Sequence, residues 1–175
     1  MKKIVCLSVF ILFGTIHVMG QVEVGEGTPF SYIYMEFQGS HDQIPQGLGQ
    51  LYQEAAKQNL QSLFSRAAFG IFFDSFLRGE EADTVWGLGL QAPEDIEIKP
   101  PLNKAKFQYD TVAMMIYVGA YESIGLAFNT IVPYIEEHNL KIVGPPVEIW
   151  LDDPNQVKPQ DCRTKVIIPV QAFKE

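Results

Sequence analysis

Glu148 and Trp150 are the residues whose types and spacing most directly suggest chemistry. They lie two positions apart in a short apolar run typical of a β-strand, so their side chains share one face. Lys165 and Ile167 share a face of the next predicted strand, which we expect to pair with the first. An indole between two ionisable groups suits the floor of a small-molecule pocket. The alternative is that Trp150 is a core aromatic and that Glu148 and Lys165 form a surface ion pair.

A second carboxylate lies between phenols in the segment 31–37, which is rich in aromatic and branched residues. Because side chains alternate along a strand, Tyr32, Tyr34 and Glu36 point to one side and the apolar residues between them point to the other. We expect the apolar set to face a helix and the polar set to line the open side, where it could hold a cation or a hydrogen-bond donor. The alternative is a strand face in contact with solvent.

Conventional catalytic and metal-binding patterns are largely missing. His41 and His138, the two histidines beyond residue 20, belong to no His-x-x-x-His or Cys-x-x-Cys pattern, so we predict neither a metal site nor a cofactor. The sequence also has no nucleophile elbow and no phosphate-binding loop. If the protein is an enzyme, Glu36 and Glu148 are the candidates for a general base.

The first 20 residues have the composition of a bacterial secretory signal. A short basic start precedes an apolar run over 4–13, and small residues stand three and one positions before Gln21. The apolar run is too short for a membrane-spanning helix, which needs about 18 residues. The sequence therefore predicts cleavage after Gly20 and a secreted or periplasmic protein.

The remaining 155 residues are acidic, because removing the signal leaves 11 basic and 21 acidic residues and a net charge of −10. Such a chain is a poor partner for nucleic acid, whose binding requires clustered Lys and Arg. No further run of 18 apolar residues exists, so we expect no membrane association after cleavage. Cys162 is then the single cysteine, and no intramolecular disulfide is expected.

The rest of the sequence contains an internal repeat of one unit. An offset of 80 aligns 37–44 with 117–124, 59–60 with 139–140, and 90–92 with 170–172. Each half contains a strand, a glycine, a helical pattern and two more strands. The unit is therefore β-α-β-β, with the first repeat at about 30–92, a proline-containing linker at about 93–107, and the second repeat at about 108–173.

Several segments of the second half, taken in order and spacing, resemble the GyrI-like, or AraC-type effector-binding, domain: 119–124, 134–140, 142–146, 148–154 and 164–170. The first half contributes Phe69 to Asp74, which is similar to the corresponding strand of that family. The resemblance implies an α+β fold with two antiparallel sheets that form a central, aromatic-lined ligand cleft, and one main helix in each unit. Members bind small, often cationic and hydrophobic molecules, and some are hydrolases of cyclopropane-containing natural products.

Two residues depart from the family pattern. Trp150 stands where Tyr is usual, and Lys165 stands where the family commonly has its ligand-binding Glu. A buried lysine would repel a cationic ligand. The ligand is therefore neutral or anionic, or Lys165 is neutralised by Glu36 or Glu148. We favour neutralisation and expect Lys165→Glu to shift binding toward lipophilic cations.

The leading functional prediction is an exported, stand-alone protein that binds amphipathic or aromatic small molecules without a DNA-binding partner domain. Its predicted ligand-binding residues are Tyr32, Tyr34, Glu36, Glu148, Trp150, Lys165 and Ile167. The main alternative is a hydrolase of small strained or reactive natural products that uses Glu36 or Glu148 as general base. Two others are an interaction module whose cleft is filled by its own side chains, and a haem binder.

Overall fold

The computed structural model describes residues 20–73 and 84–172. The predicted signal lies outside these residues except for Gly20. The strands are β1 Glu23–Glu26, β2 Phe30–Gln38, β3 Ala68–Phe72, β4 Val85–Gln91, β5 Asn103–Phe107, β6 Thr111–Val118, β7 Leu140–Ile142, β8 Val147–Trp150 and β9 Arg163–Ala172. Two main helices, α1 Ile44–Lys57 and α2 Gly125–Glu137, follow short 3-10 turns at His41–Gln43 and Tyr121–Ser123. Within the described ranges, neither helix has the length and hydrophobicity that a membrane span requires.

The strands form one antiparallel sheet in the order β1-β6-β9-β8-β3-β4-β2-β5, and β7 adds to β9. The α+β class and the single main helix in each unit are confirmed. The two separate sheets implied by the resemblance are instead one continuous sheet, because β3 of the first half pairs directly with β8 of the second. This junction places β3 and β8 at the centre of the molecule.

Strands β1, β5 and β7 are absent from the predicted β-α-β-β unit, and β5 lies within the stretch 93–107 expected to be a linker. Strand β7 has only three residues, and β1 and β5 are short edge strands with mostly exposed residues, so none of the three shows the apolar alternation of a longer strand. Strands β1 and β5 pair across the halves, β1 with β6 and β5 with β2. The repeated unit therefore begins one strand earlier than expected, and the two copies exchange that strand.

Short connections force the sheet to curl. Strands β5 and β6 are six places apart in the strand order, or about 29 Å in a flat sheet. The connection 108–110 can span only about 14 Å. The two edges must therefore approach each other, which gives the sheet an inner face and an outer face.

Both helices lie on the outer face. Helix α1 packs Leu51 and Ala55 against Ile33 of β2, and α2 packs Ile131 and Ile135 against the strands of the second half. The apolar side of β2 faces its helix, as its alternation predicts. The inner face carries a third core, the inner-face cluster, which is formed by Tyr32, Phe69, Ile71, Phe107, Val112, Val147 and Ile167.

The turns around the two helices have the same geometry in both halves. Ser40 and Ala120 precede the 3-10 turns with φ of −63° and ψ of 139° and 141°. Two residues beyond the helix ends, Asn59 and Asn139 adopt left-handed backbone with φ of 61° and 53°. Asparagine tolerates this conformation better than most residues, and the left-handed residue turns the chain away from each helix.

Candidate functional site

The outer face of the central strands lies between the two helix cores. Glu148 and Trp150 of β8 project to this side, since Val147 and Ile149 between them belong to the inner face. Gly70 of β3 is directly opposite Glu148 in the strand register. We call this region the central site and define it by Gly70, Phe72, Glu148, Trp150 and Thr164.

Glu148 is the most unusual ionisable group of the central site. Its side chain is buried, with 3% of the residue exposed. Burial raises the pKa of Glu148 to about 8, although a hydrogen bond from the Trp150 side chain acts in the opposite direction. Within residues 20–73 and 84–172, Oε1 of Glu148 has no hydrogen-bond partner. The carboxyl group is therefore mostly protonated at pH 7, and it lies beside aromatic rings with no ion-pair partner among the residues that the structure describes.

Aromatic rings from both 3-10 turns lie beside the floor of the site. The Tyr121 ring contacts Trp150 edge-on at a centroid distance of 6.5 Å. In the first half, His41 contacts Phe72 at 5.0 Å and Trp86 at 5.9 Å. The sequence offset of 80 makes His41 and Tyr121 equivalent. The repeat therefore places one ring beside Phe72 in the first half and one beside Trp150 in the second.

The Tyr121 side chain is anchored through its hydroxyl group. This hydroxyl donates a 2.6 Å hydrogen bond to the carbonyl oxygen of Asp152. Burial raises the pKa of Tyr121 to about 12, and Cys162 is the next contributor. The phenol therefore stays neutral at physiological pH and supplies an apolar ring surface beside Trp150.

Gly70 allows the rings of Phe72 and Trp150 to approach the floor of the site. A Cβ at Gly70 would lie 3.1 Å from Cζ of Phe72 and 3.4 Å from Cη2 of Trp150. Phe72 is 3% exposed, whereas Trp150 is partly exposed. The two rings thus cover the centre of the site, and Trp150 forms its more accessible side.

Five of the seven predicted ligand-binding residues lie on the inner face instead. These are Tyr32, Tyr34, Glu36, Lys165 and Ile167, as the strand registers and the inner-face cluster require. Tyr32 is packed against Phe30 and Phe69, and burial together with Tyr34 and Tyr109 raises its pKa to about 12. Glu36 is exposed. The predicted residues therefore divide between two faces and do not form one pocket.

The expected partnership of Lys165 with Glu148 is corrected by the register of β8 and β9. Glu148 is opposite Val166, and Lys165 is opposite Ile149. The two charged groups consequently lie on opposite faces of the sheet, because neighbouring residues in a strand point in opposite directions. Lys165 does not face the central site and does not oppose a cation bound there.

The remaining residues of the central site were not among the predicted ones, although the sequence contains signals for some of them. Between the segments aligned at an offset of 80, Phe73-Asp74 matches Leu151-Asp152 at an offset of 78. At that offset Gly70 aligns with Glu148 and Phe72 with Trp150. This alignment identifies the equivalent positions but does not show that β3 and β8 are neighbours. Thr164 carries no comparable signal, since it reads as an ordinary strand residue.

Other chemistry is not evident in the part of the chain that the structure describes. There, no group of three or more His, Cys, Asp or Glu side chains is arranged to hold a metal ion. A surface depression of about 440 Å³ is lined by residues that include Phe30, Arg66, Gln91 and Lys106. None of its lining residues belongs to the central site, and the groups with perturbed pKa values lie elsewhere.

The fold is similar to that of several solved structures. An uncharacterized conserved protein from Listeria innocua has a TM-score of 0.68 and 16% identity, over 86% of this chain and 92% of that chain. A hydrolase from the same organism has a TM-score of 0.66 and 15% identity, over 87% and 92% of the two chains. The C-terminal domain of EcmrR has a TM-score of 0.73 and 13% identity, over 90% and 99%.

Sequence comparison identifies the family. No curated protein is significantly similar in sequence to this chain. The family model described as the GyrI-like small molecule binding domain matches residues 21–171, which is nearly the whole described chain. The predicted family is thereby confirmed: the chain belongs to the GyrI-like small-molecule-binding domains.

Proposed function

We propose that the protein binds amphipathic or aromatic small molecules at the central site, and that Glu148 anchors their cationic part. The observation that carries this proposal is a buried carboxyl group beside aromatic rings, whose Oε1 has no partner in the described part of the chain. Family membership supports small-molecule binding in general.

A cationic ligand would supply what Glu148 lacks. An opposite charge within a few ångströms favours the ionised carboxylate, so binding would lower the pKa of Glu148 and release its proton. The faces of Trp150 and Tyr121 would add cation–π attraction. Because Lys165 lies on the inner face, the main reason to doubt a cationic ligand no longer applies.

Ligand entry requires the rings over the floor to move. Phe72 is almost fully buried and Trp150 is partly exposed, so entry on the Trp150 side disturbs less of the core. Displacement of Trp150 would also remove its hydrogen bond to Glu148. We therefore expect Trp150 fluorescence to report on binding.

The test uses tetraphenylphosphonium, the compound present in the solved structure of SAV2435, which has the same fold with a TM-score of 0.52 and 10% identity. Wild-type protein and Glu148→Gln, which keeps the shape but removes the charge, are titrated at pH 8.5. We expect about tenfold weaker binding for the variant, which corresponds to about 1.4 kcal/mol.

Lys165→Glu is the matched control, since it adds a carboxylate on the other face of the same region. It should leave the affinity unchanged, in contrast to the shift expected from the sequence alone. Equal affinity of wild type and Glu148→Gln would refute the role of Glu148. Failure of wild type to bind would refute this ligand class.

Hydrolysis of a small strained or reactive molecule is the second candidate function. It is favoured by the raised pKa of Glu148, because a carboxyl group that titrates near neutral pH can act in acid–base catalysis. The hydrolase from Listeria innocua has the same fold. If the protein is an enzyme, the Glu148→Gln variant should form no product from an epoxide or cyclopropane substrate but should still bind neutral ligands. A binding protein would release every such compound unchanged.

We further propose that the protein is exported with removal of residues 1–20. The basic start, apolar run and small residues before Gln21 support this. Intact-mass measurement of the protein from a bacterial host should give a chain that begins at Gln21 in the periplasm or medium. A chain retaining residues 1–20 in the cytoplasm would contradict the proposal.

A further inference from the structure

Two buried oxygen atoms of the central site have no hydrogen-bond partner within the described residues. One is Oε1 of Glu148, and the other is the hydroxyl oxygen of Thr164, a residue that is 0% exposed. A buried polar atom without a partner is costly for stability. A valine at position 164 would have the same shape without this cost. The pair of oxygens therefore points to a polar group that binds between them.

The strand register places these two side chains close together. Thr164 is directly opposite Trp150, and Glu148 lies two residues before Trp150 on the same face. Side chains in this diagonal relation have their Cβ atoms about 7 Å apart or less. A single small group that forms two hydrogen bonds of about 2.8 Å can span this gap.

The equivalent place in the first half shows how a polar group there can be satisfied. Trp86 pairs with Phe72 as Thr164 pairs with Trp150, so the strand register makes Trp86 the equivalent of Thr164, two residues away from the position that the offset of 80 gives. The indole of Trp86 donates a 3.0 Å hydrogen bond to the carbonyl oxygen of Gly39. Thr164 is much smaller, and within the described residues it makes no such bond. The second half thus has a smaller side chain at this position and a hydroxyl without a hydrogen-bond partner close to the carboxyl group.

We propose that the central site selects organic cations that carry N–H groups, namely protonated amines, over fully alkylated or arylated cations. This inference rests on the proposed function of Glu148. One N–H donates to the Glu148 carboxylate and a second donates to the Thr164 hydroxyl oxygen. A quaternary cation has no N–H, so it leaves both oxygens buried without hydrogen bonds.

The experiment compares two cations that share one aromatic group, biphenylmethylamine and its N,N,N-trimethyl analogue, at pH 7.5. Both are titrated against wild type, Thr164→Val, which removes only the hydroxyl, and Thr164→Ser, which retains it. For wild type we expect the amine to bind about tenfold more tightly than the trimethyl compound. Thr164→Val should lower this ratio by weakening the amine alone, although the N–H bond to Glu148 keeps the ratio above one, and Thr164→Ser should leave the ratio unchanged.

The outcomes separate this inference from the proposed function. If wild type binds both cations with equal affinity, or the trimethyl compound more tightly, the selectivity is refuted while cation binding stands. An unchanged ratio in a folded Thr164→Val would also refute the role of Thr164. If Thr164→Val fails to fold, the wild-type ratio still decides the selectivity. If wild type binds neither cation, the proposed function fails.

Discussion

The two halves of the central site have the same backbone frame and different chemistry. In each half, a central strand, the following strand and the 3-10 turn before the helix supply residues at equivalent positions. The first half has Gly70, Phe72, Trp86 and His41, whereas the second half has Glu148, Trp150, Thr164 and Tyr121. The first half is tightly filled. The second contains a buried carboxyl group and a hydroxyl that has no hydrogen-bond partner among the described residues.

This difference indicates how a duplicated fold can acquire one functional site. The frame sets where side chains point and how deeply they are buried. Only one copy needs to carry the costly polar groups, because the other can stabilise the structure by packing. The predictions below test this division by altering one half against the other.

The largest expected effect concerns the pH dependence of stability. Burial raises the pKa of Glu148 from 4.5 in the unfolded chain to about 8 in the folded protein. Between these values the folded state keeps a proton that the unfolded state has released. The contribution of protonated Glu148 to the free energy of unfolding is therefore fully present below about pH 4.5. It is lost as the pH rises, and the loss is roughly 3–5 kcal/mol at pH 8.

Glu148→Gln should remove this loss. Urea unfolding at pH 4.5 should give similar free energies for wild type and variant, whereas at pH 8 the variant should be more stable by roughly 3–5 kcal/mol. Glu36→Gln, at an exposed position on the inner face, should follow wild type. Parallel pH profiles for wild type and Glu148→Gln would contradict a buried, proton-holding Glu148.

A smaller effect is expected from placing a second carboxyl group in the first half. Gly70→Glu puts a side chain against the rings of Phe72 and Trp150 and an acid opposite Glu148. We expect a loss of about 3 kcal/mol in the free energy of unfolding at pH 7, because both crowding and an additional buried acid are unfavourable.

The control for this variant is Gly70→Ala, which adds only the Cβ that lies 3.1 Å from Phe72. Urea unfolding should show a loss of about 1 kcal/mol or less for the alanine, since a ring edge can shift by a few tenths of an ångström. Equal stability of Gly70→Glu and wild type would mean that the first half tolerates the same chemistry as the second.

The smallest effect tests whether the two frames are equivalent. Asn59→Ala and Asn139→Ala each place a Cβ-bearing residue with little tolerance of positive φ in a left-handed position. Each alanine should lower the free energy of unfolding by about 1 kcal/mol, whereas glycine at either position should change it little. Thermal unfolding of the four variants would show unequal losses if the two helix ends differed in structure.

The repeat was predictable because its signals are local. Helix positions follow from apolar spacing, and the turns follow from Gly39 and Gly119 with the matched residues after them. The three strands predicted for each half correspond to β2, β3 and β4 and to β6, β8 and β9. Strands β1 and β5 were missed because they are short and mostly exposed, and β7 was missed because it has only three residues.

The central site was less predictable because it depends on long-range pairing. Glu148 and Trp150 were identified as chemically important, and they do share a face. They were wrongly assigned to the same face as Lys165, because that assignment depends on the register of β8 and β9. A shift of one residue in this register reverses the face on which a side chain lies. The proximity of Gly70 depends on the β3–β8 junction, which no local pattern encodes.

The exchange of β1 and β5 has a consequence for how the molecule holds together. Each half completes its sheet with a strand that the other half supplies, as two subunits of a domain-swapped dimer would do. Cutting the chain between 93 and 101 would leave each fragment with an edge strand that only the other fragment can use. The fragments should therefore associate, because the two halves of the single chain are arranged like two subunits that exchange an edge strand.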